Sequence, residues 1–134
     1  MWKRPVEDIL NKYLPAEAVS LCIRYFSAMK VFDEAIAGRA ELPEVPTAIA
    51  DFLTGFIGNT FFAKHRGDLF PVAVLGYKSW AESVSRALIV KTDEDRAAAA
   101  MARRTFHEFA CTCVVINGGN SLQLRQELLS CSVL

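Results

Sequence analysis

Apolar residues in this chain recur at intervals of three and four, and nowhere does apolar–polar alternation run beyond four residues. That spacing excludes a sheet protein, because a half-buried strand needs a period of two. The clearest stretch follows Pro15. Ala18, Leu21, Cys22, Tyr25, Met29, Phe32 and Ile36 fall on one side of a 3.6-residue helix, and Glu17, Ser20, Arg24, Ser27, Lys30 and Glu34 fall on the other. A helix is expected from Pro15 to about Gly38, with Gly38 supplying a left-handed cap.

The same spacing organises the rest of the chain. Pro5 suits a first helical turn, and Val6, Ile9, Leu10 and Tyr13 make one sticky face of a short helix. Residues 38–46, ending in Leu42-Pro43-Glu44-Val45-Pro46, read as the one clear loop. A third helix from about Thr47 to Lys64 places Ile49, Phe52, Leu53, Phe56, Ile57 and Thr60 inward, with Asp51, Gly55, Gly58 and Phe62 behind. Each internal glycine costs about 1 kcal/mol relative to alanine. A close helix crossing or a shallow groove would offset that cost; the alternative is a break at Gly58-Asn59.

Lys64-His65-Arg66-Gly67-Asp68 reads as a turn, with Asp68 as a cap and Pro71 in the first turn of a helix running to about Val90. Its stripe is Ala73, Tyr77, Trp80, Val84 and Leu88. Thr92 with Asp95 three residues on resembles a capping pair, and Asp93, Glu94 and Asp95 sit at the positive end of the helix dipole. A fifth helix is expected from Asp93 to about Ile116, facing inward with Ala98, Ala99, Ala102, Phe106, Phe109, Cys113 and Ile116. Gly118-Gly119 stops it, and Asn120 or Ser121 caps a last helix to about Ser130. The expected fold is all-α: a single compact domain over residues 1–134, built from five or six amphipathic helices.

A chain of 134 residues can bury a core without covalent staples. Lys plus Arg and Asp plus Glu both total 15, which argues against a general polyanion binder and leaves only local basic patches. Hydrophobic residues make up 52% and mean hydropathy is +0.22, so disorder is excluded and some apolar surface should meet a partner. Cys22, Cys111, Cys113 and Cys131 are too few and too irregular for a disulfide framework. The opening residues turn acidic before any apolar run, and the greasy stretch 48–63 is interrupted by Asp51 and Asn59 and is too short to span a bilayer. A reduced, cytoplasmic setting is expected.

Three constellations could carry function. His107 and Cys111 lie four apart, on a face expected to be polar and shared with Arg96, Arg103 and Arg104. A thiol beside imidazole and guanidinium groups could serve as a nucleophile or redox sensor, although an exposed helical face with an incidental cysteine is the simpler reading. Metal binding is weaker, because Cys111 and Cys113 point about 160° apart on a helix and one ion cannot easily take both. The third constellation is charge. Arg96, Arg103, Arg104 and His107, with a second cluster at Lys64-His65-Arg66, could meet nucleic acid or an acidic partner, or simply be solvated. Gly118-Gly119-Asn120-Ser121 could offer backbone N–H groups to an anion but reads first as a cap.

The last helix carries leucines on two sides, Leu124 and Leu128 against Leu122 and Leu129. The expectation is a non-enzymatic helical protein–protein interaction module of the adaptor, inhibitor or assembly-factor kind, without cofactor or metal. It would self-associate through Leu122, Leu128 and Leu129 and meet a charged partner through Arg96, Arg103, Arg104 and His107. The alternatives are a nucleic-acid-binding protein using residues 64–66 and 96–107, and a thiol enzyme or redox sensor at Cys111 and His107. Shallow membrane association through the Phe-rich third helix ranks lower, because that face is the expected core.

Overall fold

The computed structural model describes residues 2–36, 38, 44–90, 92–104 and 106–131. Among them the fold is all-helical, with seven helices: α1 (Lys3–Asn11), α2 (Ala16–Ile36), α3 (Glu44–Ile57), α4 (Thr60–Val90), α5 (Asp93–Arg104), α6 (Phe106–Ile116) and α7 (Ser121–Ser130). The class agrees with expectation and the count of five or six does not. The expected fifth helix corresponds to α5 and α6, with residue 105 outside the described residues, and the expected third helix ends early, at Ile57.

The central element is α2. Ala18, Leu21, Cys22, Tyr25 and Met29 are buried as the stripe requires, but so are Val19, Phe26 and Ala28 away from it. A helix buried on so much of its circumference needs neighbours on several sides, and α2 packs against α1, α3, α4 and α6. Val6 and Leu10 of α1 are fully buried, and Leu14 follows them into the core. Tyr25 stacks on Phe109 of α6 with centroids 4.6 Å apart, and its hydroxyl donates to the Ala73 carbonyl of α4 at 3.1 Å. A Cβ on Gly76 would stand 2.8 Å from that hydroxyl, so the glycine leaves room for the bond. Trp80, also buried, donates its indole N–H to Asp33 of α2 at 3.0 Å.

The glycines of α3 serve both purposes foreseen for them. A Cβ at Gly55 would overlap the Arg24 side chain, which lies across α3 and donates to the Asp51 carbonyl at 3.1 Å. At Gly58 the helix ends. Asn59 then caps α4 by accepting from the Phe62 N–H at 2.9 Å, and its amide donates to the Glu17 carbonyl at 3.0 Å. Thr60 hydrogen-bonds the Glu17 carboxylate, so the α3–α4 turn is fastened to the start of α2.

Two expected boundaries move. Residues 39–43 of the expected loop lie outside the described residues, and the chain is helical from Glu44, with Pro46 in the first turn where its missing N–H costs nothing. The turn expected at 64–68 is a kink: His65 has φ −118° and ψ 22° inside α4, and Asp68 lies within the helix instead of capping it. Pro71 lies inside the same helix and cannot donate to the Gly67 carbonyl, which weakens the turn after the kink. The helix start at Thr92 is as expected, with its hydroxyl accepting from the Asp95 N–H at 3.1 Å and donating to the Asp95 carboxylate at 2.7 Å. Arg86 holds the same carboxylate at 2.7 Å and ties α4 to α5. At the C-terminal end, Asn120 caps α7 through the Leu122 N–H at 2.9 Å.

Two predictions follow from these fastenings. Asn59→Ala removes a cap and a tertiary bond together and should lower unfolding free energy by about 1–2 kcal/mol in urea titration. Acid should also loosen the fold. The Thr92 hydroxyl and then Arg86 lower the pKa of Asp95, and Tyr13 with Lys12 lowers that of Glu127. Their contribution is complete above the ordinary carboxylate range and is lost as pH falls through the lowered values. Asp95→Asn and Glu127→Gln should flatten the acid limb of the stability profile.

Candidate docking groove

Of the residues expected to form a charged partner surface, Arg96 and His107 can be placed, one exposed and the other buried. Arg96 is exposed near the start of α5 and lies 3.8 Å from Asp93. Arg103 and Arg104 end the same helix, and their side chains lie outside the described residues. His107 corrects the expected stripe: it is buried at 5% exposure and meets the edge of Phe26 with centroids 6.3 Å apart. Phe109 and Cys113, expected inward, are buried as well, so α6 is covered on a second face that carries His107. Glu108, next in sequence, takes the outer position and pairs with Arg125 of α7.

Cys111 is likewise in the core, as are Cys22 and Cys113. The sulfurs of Cys22 and Cys113 are 3.8 Å apart across α2 and α6. Burial, then Cys113, pushes the Cys111 thiol up to about 11, and burial carries Cys22 well above its ordinary value. Such thiols stay protonated near neutrality and out of reach of a dissolved substrate. The part of that face on α6 is buried because α6 is covered on both sides, with Phe109, Ala110, Cys111, Cys113 and Val114 all in the core. Among the described residues no group of three or more His, Cys, Asp or Glu could hold a metal ion.

The two sides of α7 separate as the leucine pattern foretold. Leu124 and Leu128 are buried, while Leu122 and Leu129 are exposed. Leu128 therefore belongs to the core, not to a self-association surface. Leu122 and Leu129 remain available to a partner.

A larger apolar surface lies elsewhere, on residues assigned from sequence to the core. The expected inner face of α3 divides in two. Phe56 is buried and Phe52 half-buried, stacked on each other at 4.3 Å. Ile49, Leu53 and Ile57 face outward, and Leu53 is 51% and Ile57 80% exposed. Opposite them on α4, Phe70 is 57% exposed and Tyr77 is also exposed. Between these rows runs a groove of about 500 Å³, floored by Tyr25, Phe52, Phe56 and Phe62, with Arg66 as its one charged lining residue. It exists because α3 leans on α2 along the Arg24–Gly55 crossing and meets α4 only sparingly. A second, polar groove of about 900 Å³ lies between α1, α2 and α3, where Lys3, Glu7, Arg24, Glu44 and Asp51 mix both signs of charge.

A signal for the first groove was present in the sequence. Residues 44–57 carry only Glu44 and Asp51 as charges, so their apolar residues cover more of the helix than one neighbour can bury. No helix among the described residues is long and apolar enough to cross a membrane.

The cysteine environments make a direct prediction. With iodoacetamide at neutral pH, half-buried Cys131 should label first, and Cys22, Cys111 and Cys113 only as fast as the fold opens. Rapid labelling of Cys111 in the folded chain, read by mass spectrometry, would restore a reactive-thiol role. No family model, curated protein or solved structure matches this chain.

Proposed function

We propose that this chain is a non-enzymatic protein–protein interaction module, of the adaptor, inhibitor or assembly-factor kind, which works by seating an apolar helix in the α3–α4 groove. The observation that supports this is the outward row Ile49, Leu53 and Ile57 facing Phe70 and Tyr77 across an aromatic floor. Helix-in-groove recognition seats the apolar face of an amphipathic helix, through anchors at i, i+3, i+4 and i+7, in a hydrophobic groove of this kind. Phe and Tyr side chains present roughly 150–250 Å² when free and Ile and Leu an area of the same order, so these five exposed residues leave roughly 500 Å² of apolar surface in water. That is near the upper end for the largest patch on an ordinary monomer.

A photoreactive benzophenone side chain at Leu53, introduced into the chain in its native host, tests the reading. Irradiation should give a discrete protein adduct from position 53 and none from the exposed α4 position Glu82. Lipid adducts alone, or no adduct, would contradict a protein-docking role.

A further inference from the structure

We infer that the helix seated in the groove is α3 of a second copy of this chain, the two copies being related by a two-fold axis; this rests on the groove being a protein-docking surface. The pattern the groove would accept is one that α3 itself displays. Ile49, Leu53 and Ile57 form a single row about 12 Å long at the helical rise. Ala50, small and exposed beside that row, lets a second helix come close. Asp51, the charge within this stretch, lies about 160° around the helix from Leu53, on the side of the polar groove where Arg24 bonds its carbonyl.

Geometry favours a helix over a small apolar ligand. A ligand lying in the slot between α3 and α4 would cover Phe70 and Tyr77 but leave the outer flank of Ile57, the most exposed of the set, in water. A helix lying along α3 covers both. Because the row and the groove belong to one patch, a two-fold contact lets each copy supply ridge and receptor at once, and assembly stops at two. The paired patches then remove roughly 1,000 Å² of apolar surface before any rim contact, about the size a biological interface must reach. Arg66 is exposed at the groove's edge, where its charge stays hydrated in such a pairing.

Size exclusion with light scattering on the purified full chain, from low to high micromolar concentration, reads the outcome. Twice the 14.8 kDa chain mass is expected. Leu53→Asp should weaken the dimer roughly a hundredfold, the scale of a disrupted central anchor, with helical circular dichroism unchanged because Leu53 already faces solvent. A paired Leu122→Asp, Leu129→Asp variant should leave the dimer intact, and Ala50→Cys should give a covalent dimer under a mild oxidant. A monomer at every concentration overturns the inference, as does a dimer that resists Leu53→Asp or dissolves with the α7 pair. A monomer whose position 53 crosslinks a different protein refutes the second copy and leaves the docking role standing. A monomer without any protein adduct removes both, and binding of the wild-type monomer to anionic phospholipid vesicles, lost in Leu53→Asp, would assign the patch to a membrane surface instead.

Discussion

Everything in this fold depends on covering α2. A helix that buries Val19, Phe26 and Ala28 in addition to its main stripe cannot be satisfied by one partner, and α1, α3, α4 and α6 close around it. Tyr25 shows how tightly the cover is specified. Its ring stacks on Phe109, and aromatic pairs of this kind contribute about 0.5–1.5 kcal/mol beyond area burial. Its hydroxyl would be stranded inside the core without a polar partner, and the Ala73 carbonyl on α4 provides one only because Gly76 keeps that position clear. Three helices are thereby held to α2 through one side chain and its immediate neighbours, since Tyr25 also lies 6.2 Å from Phe52 of α3.

Much of this was legible in the sequence. The helical class, the α2 stripe, the Thr92 and Asn120 caps and the positive φ of 77° at Gly38 all come from local chemistry, where the residue that decides the geometry is the residue observed. Boundaries that depend on distant partners were less legible. The sequence between Asp93 and Ile116 shows one apolar face but not how much of α6 its neighbours cover, and the kink at His65 lies six residues before the proline. The misplacement of His107 and Cys111 follows directly, because an amphipathic pattern does not tell whether a second face will also be covered.

The candidate site was hidden by a different ambiguity. Periodicity reports that α3 has an apolar side, but it cannot divide that side between the core and a partner. Ile49, Leu53 and Ile57 differ from Phe52 and Phe56 by less than one helical turn, and what separates them is the angle at which α3 lies on α2. Arg24 crosses α3 at Gly55 on the flank that meets α2, a contact between residues far apart in the chain. Composition was the better guide. A mean hydropathy of +0.22 in a chain of this length already implied more apolar surface than one core would absorb.

The groove and the core are therefore two consequences of the same packing. Fastening Asn59 and Thr60 to Glu17 anchors the α3–α4 turn at the start of α2. From there Arg24 holds α3 on one flank of α2, while Tyr25 and Trp80 hold α4 on another, with the His65 kink redirecting α4 between its anchors. Two helices joined by so short a turn would ordinarily pack along their length. Here each is bound more firmly to α2 than to the other, so their facing apolar rows stand apart and the aromatic floor beneath stays open. An arrangement that satisfies α2 leaves α3 half-covered, and that surplus of uncovered apolar side chain is what a partner helix would complete.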